Sequence, residues 1–254
     1  MSARPRVGLF VTCLVDLVRP QIGFAAVKLL EQAGCDVEIP AVQTCCGQPA
    51  WNAGADGHAG DIARAVIAAF EGFDHVVAPS GSCAGMIKRH YPEVFANDAA
   101  WLARARALAQ KTHELMSFLV KVRGVTGVPA QFAQKVCYHD SCSSLREMGV
   151  KAEPRALLAS VGGLSIVELA DPQTCCGFGG LFSVKYPEIS ERMADDKIAD
   201  AGATGADTLI GGDLGCLLHL AGRMKRQGKT LAVRHAAEVL ADMGGEPALG
   251  ETGQ

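Results

Sequence analysis

Eight of the ten cysteines fall into two matching sets. Cys13, the adjacent pair Cys45-Cys46 followed by Gly47, and Cys83 form the first set. Cys142, the pair Cys175-Cys176 followed by Gly177, and Cys216 form the second. Between the lone leading cysteine and the pair lie 31 residues in the first set and 32 in the second. Between the pair and the last cysteine lie 36 and 39. Three matched features, the two intervals and the repeated Thr-Cys-Cys-Gly, mark an internal duplication. Each set offers four thiols, and four thiolates suit either a structural zinc ion or an iron–sulfur cluster. Structural zinc commonly takes Cys-x-x-Cys knuckles, and none occurs here. Neighbouring cysteines point apart unless the backbone turns sharply, and Gly47 and Gly177 supply residues able to adopt positive φ. Divergent thiolates favour a multi-metal cluster over one small ion, with zinc as the alternative.

The elements that must position these thiols repeat in the same order. Short apolar strands are predicted over Val7–Val11, Asp36–Val42 and His75–Ala78, each running into a cysteine loop of the first set. Lys135–His139, Leu164–Leu169 and Thr208–Ile210 do the same for the second. Helices are predicted over Gln21–Gln32 and Ala59–Phe70, and over Pro154–Val161 and Pro187–Ala201, the latter two opening on proline. A strand near Thr230–Val233 and a helix over Ala236–Asp242 close the chain. Strands alternating with helices imply right-handed crossovers and parallel sheets. The expected architecture is therefore α/β: two pseudo-symmetric parallel-sheet units with cysteine loops at the strands' C-terminal edges, where such folds bind ligands. The expected boundaries are a first unit over 1–96, a helical linker over 97–133, a second unit over 134–243 and a mobile tail over 244–254.

Bulk composition narrows the function classes. The 254 residues carry a formal net charge of −3 and no basic tract, which argues against a nucleic-acid binder. No apolar run approaches the ~20 residues of a membrane helix. Arg4 and Arg6 before the apolar run Val7–Val15 faintly resemble a signal peptide, but Asp16 and Arg19 follow at once, and a buried first strand explains the run better. A cytoplasmic location is expected, and there cysteines serve as metal ligands or redox groups more often than as disulfides.

The stretches Val11-Thr12-Cys13-Leu14-Val15-Asp16, Thr44-Cys45-Cys46-Gly47-Gln48-Pro49, Tyr138-His139-Asp140-Ser141-Cys142 and Cys175-Cys176-Gly177-Phe178-Gly179-Gly180-Leu181-Phe182-Ser183-Val184-Lys185 resemble the CCG, or cysteine-rich, domain family over nearly the whole chain. That family includes the cysteine-rich subunit of heterodisulfide reductase and glycolate oxidase iron–sulfur subunits, and the match is best to its lactate-utilisation protein A group. The resemblance implies 4Fe–4S clusters, one per unit, on the eight cysteines. It also implies electron transfer in a complex with two partner proteins that oxidises L-lactate to pyruvate. The heterodisulfide reductase subunit carries a fifth thiol per unit for non-cubane clusters; Met86 and His219 stand at those positions here. Four thiols suit an ordinary cubane, which weakens the alternative of a thiol–disulfide oxidoreductase. The family's histidine after the His-Asp-x-Cys cysteine is replaced by Ser143.

Several residues carry competing readings. His219 is a candidate nitrogen ligand, although one turn after a ligand a histidine more often packs or braces. His139, with Asp140, reads either as a base toward a hydroxy acid or as a strand-end residue donating to a carbonyl or cluster sulfur. Lys185 either binds a substrate carboxylate or offsets cluster charge. Cys35, Cys137 and Met86 read as core. Gly177-Phe178-Gly179-Gly180 lacks the residues of a phosphate loop and reads as a turn around a cluster.

Overall fold

The computed structural model describes residues 4–251, so the first three residues of the first unit and the last three of the expected tail lie outside the described residues. Eight strands form two four-stranded sheets. The first contains β1 (Arg6–Leu9), β2 (Asp36–Glu38), β3 (His75–Ala78) and β4 (Thr112–Glu114) in the order β2-β1-β3-β4. The second contains β5 (Lys135–His139), β6 (Ser165–Val167), β7 (Thr208–Gly211) and β8 (Ala232–His235) in the order β6-β5-β7-β8. Every pairing is parallel. The registers correspond as well: Leu9 faces Val77 in the first sheet, and Tyr138 faces Ile210 in the second. The duplication seen in the cysteine spacing thus extends to backbone pairing. Strand order reverses between β1 and β3 and between β5 and β7, which places a switch-point crevice at the C-terminal edge of each sheet.

The helices Gln21–Gln32 and Asp56–Phe70 bury their apolar stripes, with Ile22, Ala26, Leu29 and Leu30 on the first and Ala63, Ile67 and Phe70 on the second. Pro187–Ala203 repeats the pattern through Ser190, Ala194, Ile198 and Ala201. Cys35, Cys137 and Met86 are fully buried in the core, as expected.

Two boundaries differ from expectation. The segment read as a helical linker contains β4, which pairs with β3 through Val76, Val77 and Ala78 and completes the first sheet. Three residues reading Thr-His-Glu carry no apolar alternation, so the strand has no local sequence signal; its place is set by pairing. Residues 244–251, read as a mobile tail, are docked. Ala248 and Leu249 are buried, the Leu249 N–H donates to Val233 O at 2.9 Å, and Arg19 Nη2 donates to Pro247 O at 2.8 Å. Two apolar side chains amid glycine and glutamate suffice to anchor the segment.

The two units meet through polar and apolar contacts. Arg19, on the connection after the first cysteine helix, forms a buried ion pair with Glu238 at 2.8 Å. Lys28 Nζ donates to Ala241 O at 2.6 Å. The helix Gly81–Gly85 presses on the segment Ser143–Glu147 so closely that a Cβ on Gly81 would overlap Ser144 Oγ and lie 2.8 Å from Ser144 Cα. Only glycine permits that approach.

Candidate metal centre

Within each unit the four thiols converge at the switch-point edge. Cys13 opens the helix Cys13–Val18 directly after β1, and Cys83 lies on Gly81–Gly85 directly after β3. The pair Cys45-Cys46 follows β2. Cys142 follows β5, Cys175-Cys176 follows β6, and Cys216 lies on Leu214–Arg226 after β7. The thiols influence one another in the same sequence in both sets: Cys13 to Cys45 to Cys46 to Cys83, and Cys142 to Cys175 to Cys176 to Cys216. Cys46, Cys176 and Cys216 are buried; the other five are half-buried, and all are reduced.

The adjacent cysteines turn toward one centre because of the glycine that follows. Gly47 has φ 87° and Gly177 φ 85°, the positive values the sequence predicts. Their amides donate to Cys45 Sγ at 3.5 Å and to Cys175 Sγ at 3.4 Å. Each loop is braced from behind. Tyr91 Oη donates to Cys46 O at 2.9 Å. Ser190 Oγ donates to Gly177 O at 2.8 Å, and His219 Nε2 lies 3.2 Å from the same hydroxyl. His219 therefore braces the second loop through Ser190.

The electrostatics of the two sets match. Neighbouring S–H groups hold Cys45 and Cys175 as thiolates, with pKa values down to about 2; the hydrogen bonds come from Cys13 and Cys46 in one set and from Cys142 and Cys176 in the other. The donors move oppositely. Hydrogen bonding to Cys45 and burial push Cys13 and Cys46 up, and hydrogen bonding to Cys175 and burial do the same to Cys142 and Cys176. A thiolate flanked by thiols is a donor set suited to a soft metal.

The His139-Asp140 pair does not form an acid–base couple. Asp140 accepts two hydrogen bonds from Arg155, at 2.9 and 2.7 Å. His139 is 1 % exposed and lines neither of the two cavities beside the thiol sets, so neither cavity leads a substrate to its ring. One of its ring nitrogens lies within 4.8 Å of Cys176 Sγ and Cys216 Sγ. Neither ring nitrogen has a hydrogen-bond partner among the described residues. Burial, with the nearby Lys197 charge, lowers its pKa to about 4. Lys185 stands exposed at the end of Leu181–Lys185.

Lys197 is the residue that sequence reasoning missed. It is fully buried, donates to Asp171 O at 2.7 Å, and its charge is felt at Cys176 and His139. It places a cation near the second thiol set, whereas Lys185 stands exposed. Its position was visible: Lys197 follows Ser190 and Ala194 on the buried stripe of Pro187–Ala203, where a lysine is out of place unless it has a partner.

Both sets open onto the seam between the units. A cavity of ≈ 160 Å³ is lined by Cys13, Cys45, Cys46 and Cys83 from the first unit, and by Phe178, Asp213 and Leu214 from the second. A cavity of ≈ 200 Å³ is lined by Cys142 and Cys216 with Gln48, Ser82, His90 and Glu147 from the first unit. Phe178, Ser82 and Asp213 line both. Asp213 crosses the seam, accepting from Ser80 Oγ at 3.1 Å and from the Ser82 amide at 3.0 Å. Four convergent thiols per unit, a buried orphan imidazole and amides aimed at sulfur fit a thiophilic metal or cluster in each unit.

Fold and site together define a duplicated α/β protein with four thiols gathered at the C-terminal edge of each parallel sheet. The chain belongs to the cysteine-rich domain family, CCG, whose pattern matches residues 7–88 and 136–221, one match per unit. It is 49 % identical over 235 residues to Lactate utilization protein A of Geobacillus sp. (strain WCH70), covering 92 % of this chain and 98 % of that one. It is 48 % identical over 238 residues to the protein of the same name from Exiguobacterium sp. (strain ATCC BAA-1283 / AT1b), covering 93 % and 97 %. Among solved structures, a hypothetical protein from Helicobacter pylori superposes with a TM-score of 0.67 at 12 % identity, over 97 % of this chain and 52 % of that chain; this likeness concerns the fold. No helix among the described residues is long and apolar enough to cross a membrane.

Proposed function

We propose that this chain is an electron-transfer subunit in lactate utilisation, holding one 4Fe–4S cluster on Cys13, Cys45, Cys46 and Cys83 and another on Cys142, Cys175, Cys176 and Cys216. The observation that carries the reading is the pair of matched four-thiol sets beside one seam, where all four thiols of the first line one cavity and Cys142 and Cys216 of the second line another. When bound, the clusters supply one-electron storage. The chain's own residues hold and insulate them. The Gly47 and Gly177 amides stabilise thiolate charge, and Phe178 fills the space between the two cavities.

Oxidation of L-lactate to pyruvate releases two electrons and two protons, so a pair of one-electron sites matches its stoichiometry. The proton and hydride chemistry falls to partners: the two histidines nearest the second centre, His139 and His219, are respectively sealed in the core and engaged with Ser190. Two partner proteins and a cytoplasmic location complete the proposal, and the names of the relatives support its lactate-utilisation part. Deleting the gene should abolish growth on L-lactate as sole carbon source while leaving growth on pyruvate intact. Unimpaired lactate growth in a strain without another lactate oxidase would contradict it.

A further inference from the structure

The two centres are built on the same plan, and one strand-end position beside them differs in kind. Cys13 and Cys142 correspond, and three residues before each stand Phe10 and His139. The strand registers place these two equivalently. The Phe10 amide donates to Val77 O at 2.8 Å, just after the Leu9–Val77 pair. His139 follows the equivalent Tyr138–Ile210 pair. Phe10 is fully buried in the same core cluster as Cys46, so a hydrocarbon ring occupies this position in the first unit. The second meets an imidazole, with a nitrogen within 4.8 Å of Cys176 Sγ and Cys216 Sγ and no other hydrogen-bond partner among the described residues.

We propose that His139 donates its imidazole N–H to sulfur of the second centre alone, making that centre the more easily reduced of the two. A buried N–H without an acceptor is strongly disfavoured, and thiolate or cluster sulfur is the acceptor the geometry offers. Four cysteines already complete the donor set of each unit, which leaves the imidazole as a donor to sulfur and not a replacement ligand. An imidazole carries at least one N–H in either protonation state. A hydrogen bond to sulfur stabilises the reduced, more negative form more than the oxidised form and raises the reduction potential. Phe10 can give no such bond. Electrons arriving at the first centre would therefore run downhill across the seam to the second. His139 acts as a positioning and tuning residue.

This inference rests on the iron–sulfur reading above, and its test separates the two. The full chain and the His139→Phe, His139→Gln and Phe10→His variants are loaded anaerobically, assayed for iron and acid-labile sulfide, and titrated redox-wise by electron paramagnetic resonance. The wild type should reduce in two separated steps. His139→Phe, which installs the side chain the first unit already accommodates, should shift the higher step downward and narrow the gap, with iron and sulfide unchanged. His139→Gln, which keeps an N–H, should preserve part of the gap, and Phe10→His should raise the lower step. Should His139→Phe fail to fold, His139→Leu should give the same downward shift. Unmoved steps in iron-loaded variants would overturn the role of His139 and leave the cluster reading standing. Loss of one cluster's iron in the variants, with strong nitrogen coupling in the wild type, would make His139 a ligand and also overturn the proposal. Zinc without iron in the wild type would overturn the cluster reading and this inference with it.

Discussion

At the residue scale, the thiols divide sharply by proton affinity. Cys45 and Cys175 are held as thiolates by S–H groups of their neighbours, at about 2, whereas Cys13, Cys46, Cys142 and Cys176 are pushed above the ordinary cysteine range. Because the thiolate is the reactive form, metal-free protein treated with iodoacetamide should be modified first at Cys45 and Cys175. A lowered value means these two are already deprotonated, so their rates should stay flat between about pH 6 and pH 9, whereas an ordinary thiol gains about tenfold per pH unit over most of that range. Peptide mapping by mass spectrometry reads the rates; a steep rise at Cys45 would contradict the arrangement. The eight cysteines were legible in the sequence because a duplication repeats both type and spacing. The place of His139 was half legible. Donation to sulfur is one of the readings its sequence context allows, but its solitude is not legible there, since Arg155 claims Asp140 through contacts that no local pattern encodes.

At the element scale, each Cys-Cys-Gly loop depends on its glycine, but unequally. Both glycines have positive φ, which costs a residue with a Cβ about 1–2 kcal/mol. A Cβ on Gly47 would lie 3.3 Å from Ile62 Cγ2, the end of a side chain that can shift. On Gly177 it would lie 2.5 Å from Ser190 O and 2.9 Å from Met193 Cβ, in the body of a helix. Gly47→Ala should therefore destabilise by about 1–2 kcal/mol, and Gly177→Ala by about 3 kcal/mol or more. Urea denaturation of the two variants measures this, and equal losses would contradict it. Strand identity was legible wherever apolar runs were continuous, as in His75–Ala78 and Lys135–His139, whose observed limits equal the predicted ones. β4 was hidden because Thr112–Glu114 is polar and short, and its existence depends on an edge offered by β3.

At the scale of the whole molecule, the two units are fastened at a seam that both thiol sets face. Arg19 and Glu238 pair there at 2 % and 0 % side-chain exposure. Removing one partner strands a buried charge, so Arg19→Ala should cost about 3–5 kcal/mol, whereas replacing both by apolar residues of similar size, Arg19→Met with Glu238→Leu, should recover much of it. Urea unfolding of the single and double variants tests this, and a single variant as stable as the wild type would refute it. The pairing was illegible in sequence, since 219 residues separate the partners and neither belongs to the repeat. Electron transfer by this chain stands or falls with an iron–sulfur cluster in each unit. The most direct test is iron and acid-labile sulfide analysis of anaerobically purified protein, with electron paramagnetic resonance after reduction. Two 4Fe–4S clusters require about eight iron and eight sulfide per chain, and signals from reduced clusters should accompany them. Stoichiometric zinc with neither iron nor sulfide would contradict the proposed function.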